Sequence, residues 1–199
     1  NSELIEEDLT EWIIKGFDDF QSIFGYRSTS TISPNFVCPP KAIDAFENAG
    51  VKYLQGCNSL LYMKNGKEEN QNFCQGAALS TKITALARNH KFEPCRNRKE
   101  WQSEFSIQAA GFWLKKGIPA VLDSHRINYV GNYAENSRNE LTKLISSFRN
   151  YPNIKFMTSV ELGEAIVNQG KYTCVFTGEH KSVTPKDNVL RKQVRNWIN

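Results

Sequence analysis

The stretch PAVLDSHRIN, residues 119–128, decides the fold that this chain is expected to adopt. Its apolar residues 120–122 directly follow the glycine and proline that close a helix, as expected of a short buried strand. Polar and titratable side chains then follow at once, among them Asp123 and His125. A buried strand that ends in functional groups is typical of α/β proteins, whose ligands bind beyond the carboxyl ends of parallel strands.

The same alternation of helices and short strands extends along the chain. The hydrophobic periodicity predicts helices over about 9–24, 39–49, 99–116, 141–148 and 158–169. Short apolar runs predict strands over 26–32, 51–54, 83–86, 120–122 and 155–157, and residues 55–76 are interpreted as an irregular insertion or a hairpin. Because a parallel crossover is normally helical, the order predicts an α/β protein with a mainly parallel sheet covered by helices.

Composition bounds the class of protein. A chain of 199 residues is long enough for one domain, or one domain with an appendage, at about 150 residues per domain. Its 40% hydrophobic and 23% charged residues are those of an ordinary globular protein. The net charge is only +4 and the basic residues are scattered, so we expect no nucleic-acid partner. No apolar stretch reaches the roughly 18 residues of a membrane span.

Several common sites are excluded by spacing. The five cysteines include no C-x-x-C pair and the three histidines lie far apart, so we expect no structural metal, and the cysteines are interpreted as buried thiols with one or two disulfides at most. No G-x-S-x-G elbow or glycine-rich phosphate loop occurs, which disfavours serine hydrolases and nucleotide binding. Asp18 and Asp19 lie within an amphipathic helix and are predicted to be solvated.

His125 is the first catalytic candidate. An imidazole titrates near neutral pH and can give a proton to a leaving group. The alternative is a core histidine bonded to the neighbouring loop, and the density of functional groups around residue 125 favours catalysis. Glu93 lies in a rigid loop before Pro94 and is interpreted as a base or as the partner of an arginine; the alternative is a surface acid paired with Arg96 or Arg98.

Other strand ends supply groups suited to a substrate. Arg88 and Arg126 could grip an anionic group, or each could be a buried ion-pair partner. The predicted substrate-binding residues are Arg126, Asn128, Arg88, Asn35 and Asp123. We expect the loops bearing Glu93 and His125 to open on the same edge of one sheet.

Ordered fragments of the chain resemble a known family. Most of the resemblance lies in S-H-R-I-N at 124–128 and F-E-P at 92–94. Weaker pieces are FGYRS with the Ser-Pro at 33–34, AGVKYLQG at 49–56, the Arg-Asn at 88–89 and FMTS at 156–159. Together these pieces resemble the later part of a polysaccharide-deacetylase-like domain, covering about 5–170, with 171–199 as a carboxyl-terminal extension.

The resemblance implies an incomplete or distorted (β/α) barrel that removes acyl groups from an amino sugar polymer, in the periplasm or outside the cell. His125 resembles the family's late histidine, a general acid. The family holds a zinc-like divalent metal with an Asp and an H-x-x-x-H pair on its early strands, and this sequence lacks that spacing. Metal ligands would therefore lie upstream of Asn1, or be missing. Ile32 stands where the family's active-site Arg would precede Pro34.

Two other functions are compatible with these residues. The barrel could be a catalytically inactive carbohydrate-binding or scaffold protein, or it could be a glycoside hydrolase that uses Glu93 and Asp123 as paired carboxylates. Five strands of a barrel would leave sheet edges uncovered. We expect upstream strands, a second chain, or the 55–76 insertion with the tail to cover them.

Overall fold

A computed structural model describes residues 6–64, 67–149 and 153–169, and it shows a mixed α/β fold. The helices are α1 (Glu6–Phe24), α2 (Pro40–Asn48), α3 (Ser103–Lys115), α4 (Ala134–Arg149) and α5 (Ser159–Gln169). The strands are β1 (Ser30–Ile32), β2 (Tyr53–Gly56), β3 (Ser59–Lys64), β4 (Lys67–Asn72), β5 (Thr84–Ala87), β6 (His90–Lys91) and β7 (Leu122–Asp123). The predicted 171–199 extension lies outside the described residues.

A parallel sheet of three strands forms the first half of the fold. Its order is β1-β2-β5, with Ser30 opposite Tyr53 and Tyr53 opposite Thr84. Because the three strands run in the same direction, their carboxyl ends lie at one edge, where Ser33, Cys57 and Arg88 follow them. The predicted parallel arrangement is confirmed for this part of the chain.

The second parallel pair continues directly from the first sheet. Two residues after β5 the chain enters β6, which pairs with β7 so that Lys91 lies opposite Asp123. The Asn89 side chain secures the approach to β7: its amide donates to the Pro119 carbonyl at 2.8 Å and accepts from the Val121 amide at 2.9 Å. Glu93 and Asp123 therefore leave neighbouring strands at the same edge.

Between β2 and β5 the chain forms an antiparallel hairpin of β3 and β4, with Lys64 opposite Lys67. The interpretation of 55–76 as a hairpin is therefore confirmed for the two strands at 59–64 and 67–72. Phe73 follows the hairpin and is buried against Gly56, where a Cβ would approach the Phe73 ring to 2.8 Å. The Phe73 ring leaves no room for a Cβ at this position, which is the reason β2 ends in a glycine.

Helices cover the sheets through three apolar clusters. The largest joins α1, α2 and the first sheet around Phe17, Phe46 and Leu54. A second packs α3 and α4 against Phe92, and a third packs α5 against Tyr53 and Leu86. The α5 helix lies so close that a Cβ on Gly163 would meet the Tyr53 ring at 2.3 Å.

Some expectations about the fold were wrong. Residues 155–157 form no strand, because no neighbouring strand in the described chain offers backbone hydrogen bonds that would hold them extended. Phe156 is 58% exposed. Residues 90–91, expected in a loop, form β6. Over the described ranges the strands do not close into a barrel. In the same part of the chain, no helix combines the length and apolar character needed to cross a membrane.

The outer side of β1 borders an apolar groove under α1. Trp12, Phe17, Phe20, Ile32 and Pro34 line it, and Trp12 is 61% exposed although the helical periodicity places it on the buried stripe. Among the residues that the structure describes, none covers this groove. The expected second chain or additional segment at this edge stays a prediction.

Candidate functional site

Glu93 and His125 meet at the carboxyl-terminal edge of β6 and β7. Glu93 lies two residues beyond the end of β6, and His125 lies two residues beyond the end of β7. The backbone amide of Phe92 donates to the Asp123 carbonyl at 2.9 Å, which keeps the two strand ends side by side. There His125 Nδ1 hydrogen-bonds to Glu93 Oε1. Both loops therefore lie at one edge, as expected, but Glu93 is buried there and does not open to solvent as His125 does.

The two partners differ sharply in exposure. The Glu93 side chain is 1% exposed and the His125 side chain is 58% exposed. Because a carboxylate can only accept a hydrogen bond, the bond requires a proton on Nδ1. In the neutral imidazole, Nε2 then carries the free lone pair. The arrangement gives an oriented base at a solvent-accessible position, the geometry in which a carboxylate positions a catalytic histidine.

Asn128 completes this group, which we name the histidine cluster: Glu93, His125 and Asn128. Its side-chain amide donates to Glu93 Oε2 at 2.6 Å and to the His125 carbonyl at 2.9 Å. Its side-chain oxygen accepts from the Cys95 amide at 3.1 Å. Asn128 is fully buried, so the structure assigns its polar atoms to the protein rather than to the predicted substrate contact.

A second group lies beside it at the same edge and forms the arginine cluster: Arg88, Asp123, Cys57 and Gln55. Arg88 donates to Asp123 Oδ1 at 3.1 Å and to Gln55 Oε1 at 3.0 and 3.2 Å. Asp123 is 6% exposed and Arg88 21% exposed. For Arg88 and Asp123 the buried ion pair, one of the two alternatives for the arginine, is the arrangement found.

Cys57 is held as a thiol in the arginine cluster. Its Sγ lies 3.7 Å from Asp123 Oδ2 and donates to it. Burial, together with the nearby Asp123 charge, raises the pKa of Cys57 to about 12. A thiol with that pKa is protonated at neutral pH and is a poor nucleophile. Cys38, Cys57 and Cys95 are free thiols.

Of the predicted substrate-binding residues, Asn35 lies away from this edge, and Arg126 lies at it without an ion-pair partner among the described residues. Asn35 is exposed in a turn after β1, two strands away from β5, and has a φ of +51°. Arg126 is exposed beside His125 and forms no ion pair with the described residues. In α1, Asp18 and Asp19 pair with Arg27 and Lys15, as expected of a solvated helix face.

Sequence reasoning missed several residues around the site. Lys91 and Arg98 both lie over the Trp101 ring, at 4.9 and 4.6 Å from its centre. The Glu93 amide donates to the Trp101 carbonyl at 3.2 Å, which places this tryptophan beside the site. The density of basic residues between 88 and 99 was a usable signal. The Cys57 contact with Asp123 spans 66 residues and no local pattern reveals it.

The residues at this edge do not fit the metal that the resemblance implies. Asp123 is held by Arg88 and Cys57, and His125 faces Glu93. No group of three His, Cys, Asp or Glu side chains suited to a metal ion occurs in the described part of the chain. His90, in β6, is buried, and its Nε2 has no hydrogen-bond partner among the described residues. Burial lowers the pKa of this histidine to about 4.

Comparison of the chain with protein-family models, with curated proteins and with solved structures found no match.

Proposed function

We propose that this chain is a carbohydrate-active hydrolase that removes acyl groups from an amino sugar polymer, with His125 as its general acid and base. The observation that carries the proposal is the hydrogen bond between the buried Glu93 carboxylate and the exposed His125 ring. A carboxylate buried at a cost in desolvation, in order to orient one exposed imidazole, is the arrangement expected of a catalytic pair.

The proposed reaction uses one nitrogen twice. Nε2 of His125 takes a proton from the water that attacks the acyl carbonyl, and Glu93 stabilises the imidazolium that results. The same nitrogen then gives the proton to the leaving sugar nitrogen as the bond to the acyl carbon breaks, which yields a carboxylic acid and a free amine. Arg126, adjacent in sequence and exposed, supplies positive charge for the oxyanion that forms between the two steps.

The carbohydrate substrate comes from the resemblance of 124–128 and 92–94 to polysaccharide deacetylases, and a location outside the cytoplasm comes from the same source. The distorted (β/α) barrel also belongs to this proposal. The close succession of β5 and β6 supports it, because only two residues separate the parallel sheet β1-β2-β5 from the parallel pair β6-β7, and successive parallel strands are the building units of such a barrel. An experimental structure in which β7 lay on the same side of β5–β6 as β2 would contradict the barrel.

The deciding experiment measures acetate release from acetylated amino sugar oligosaccharides. His125→Ala is expected to reduce kcat by about 10³-fold. Because buried Glu93 loses the partner of Oε1, a stability loss of about 1–3 kcal/mol is expected, and kcat is compared at a temperature at which both proteins are fully folded. Gln71→Ala, on the exposed strand β4, is the matched control and should retain full turnover. Turnover by His125→Ala at the control rate would reject the assignment.

An inactive carbohydrate-binding protein is the second candidate, favoured by the lack of a fitting metal donor set among the described residues. Measurable oligosaccharide affinity with no acetate release by the unaltered chain would support it. The glycoside hydrolase alternative fares worse, because Glu93 and Asp123 are both buried and bonded to neighbours rather than open to a sugar between them.

A further inference from the structure

We propose that the site takes an anionic glycan, whose carboxylates bind a ring of basic side chains around the histidine cluster. This inference rests on the proposed hydrolase function and names its substrate class. The basic side chains, which we name the basic rim, are Lys91, Arg96, Arg98, Lys99 and Arg126.

The rim is attached to the site by short backbone contacts. The Arg96 amide donates to the Glu93 carbonyl at 3.0 Å, and the Cys95 amide donates to Asn128. The turn over residues 94–96 therefore packs against the turn over 126–129, which carries Arg126. Arg96 and Arg126 consequently stand on two neighbouring turns that meet at the histidine cluster, and both side chains are exposed.

The rim carries an excess of positive charge. Its five basic residues have two acidic neighbours in sequence: Glu93, which is buried with His125 and Asn128, and Glu100, which follows Lys99. Among the described residues, no carboxylate forms an ion pair with Arg96, Lys99 or Arg126. Exposed cations gathered at one edge raise the local concentration of anions and orient them as they approach.

A carboxylated sugar fits this surface better than a nucleic acid. Trp101 holds Lys91 and Arg98 over its ring, which keeps these two cations side by side so that a sugar carboxylate can pair with the Arg98 guanidinium. Single-stranded RNA binds along grooves in which several aromatic rings each stack one base. The rim itself brings one aromatic ring, in a chain whose net charge is only +4.

The test compares two substrates that differ in charge alone. One is an oligosaccharide of alternating N-acetylhexosamine and hexuronic acid; the other is the same material with its carboxylates reduced to alcohols. The inference predicts a kcat/KM for the carboxylated form about tenfold higher at low salt, and a smaller preference in 0.5 M NaCl, where exposed charges are screened. The double variant Arg96→Gln/Lys99→Gln should lose about three- to tenfold in kcat/KM on the carboxylated form alone.

Lys52→Gln is the matched control, because Lys52 is exposed and precedes β2 at the opposite edge of the sheet. It should leave both substrates unaffected. Equal kcat/KM on the two substrates, with turnover still lost in His125→Ala, overturns the anionic substrate and keeps the hydrolase. Tight binding of the carboxylated form that Arg96→Gln/Lys99→Gln abolishes, with no turnover of either substrate, supports the rim and rejects the hydrolase. Tighter binding of single-stranded RNA than of the glycan overturns the inference.

Discussion

The histidine cluster and the arginine cluster stand side by side at one edge of the sheet, and each pairs a buried carboxylate with a basic side chain. In the arginine cluster both partners are largely buried, and Arg88 also donates two hydrogen bonds to Gln55. In the histidine cluster the carboxylate is buried but 58% of the His125 side chain is exposed. The Arg88–Asp123 pair is therefore shielded from solvent, whereas the His125–Glu93 pair leaves Nε2 of His125 free to exchange a proton.

The difference shows that residue type at a strand end is not sufficient to define a site. Asp123 and Glu93 are both strand-end carboxylates within one edge, yet Asp123 joins β7 to the end of β5 while Glu93 orients a base. The hydrogen-bond partners of the two carboxylates distinguish these roles. Glu93 accepts from Asn128 at Oε2 and keeps Oε1 for His125, whereas Asp123 accepts from Cys57 at Oδ2 and from Arg88 at Oδ1. We expect substitutions in the two clusters to separate turnover from stability.

The largest effect is expected for Glu93→Gln, which should lower kcat by about 10³-fold, or about 4 kcal/mol of transition-state stabilisation. Asn128 donates to Oε2, so a glutamine must place its oxygen there and turn its NH2 towards His125. His125 Nδ1 then has to accept, which leaves the proton on Nε2, and the base is lost. The measurement is kcat for acetate release at pH 7. A variant that kept near-normal turnover would place the chemistry elsewhere.

Asp123→Asn should act on stability instead. It leaves the partly buried Arg88 guanidinium without its counter-charge, which costs about 3 kcal/mol of unfolding free energy. Urea denaturation gives this quantity. Adding Arg88→Gln should restore part of the loss, because the unpaired charge is then removed as well. A single-variant loss below about 0.5 kcal/mol, as for surface ion pairs, would show that the pair is solvated and that the comparison fails.

His90, in β6, contrasts with the exposed His125. It is buried, and its Nε2 has no hydrogen-bond partner among the described residues. Burial lowers its pKa from 6.5 to about 4. The unfolded chain therefore binds a proton before the folded one does, and stability falls as the pH drops from about 6.5 towards 4, by about 3 kcal/mol. His90→Gln should remove this part of the pH dependence of unfolding, measured against the unaltered chain. Identical slopes would contradict the burial of the ring.

Glu140 is a third carboxylate, with a structural role only. Of the substitutions considered, its replacement is expected to have the smallest effect. It accepts from the Ser103 amide at 2.9 Å and hydroxyl at 2.6 Å, at the start of α3. Partial burial alone raises its pKa, but hydrogen bonds from Lys143 and Ser103 outweigh this and lower it to about 2. Glu140→Gln should cost about 1 kcal/mol above pH 5, with less difference near pH 2, and leave kcat unchanged. A loss of turnover would link α4 to the site.

The local elements of this fold could be predicted because their signals are local. Gly50 has a φ of +89°, as expected of the glycine that ends α2, and Thr158 with Glu161 forms the capping box that precedes α5. The two-residue strand β6 is too short to carry any periodicity. The apolar run at 155–157 has the periodicity of a strand, but it pairs with nothing in the described chain.

The candidate site was predictable in part for a related reason. Parallel strands bring their carboxyl ends to one edge, so His125 and Glu93 could be expected near each other from the order of elements alone. Sequence spacing does not reveal hydrogen-bond partners 32 to 35 residues apart, so the sequence alone predicts Asn128 as a substrate ligand. For the same reason it does not decide between the two roles of Arg88.

The sequence by itself determined the α/β class, most helix positions and the edge at which functional groups gather, because these follow from periodicity, capping residues and strand direction. Only the tertiary structure decided which carboxylate orients the exposed histidine and which one closes an ion pair. Those roles depend on burial and on long-range hydrogen bonds, and both are set when β6, β7 and the 124–128 loop come together.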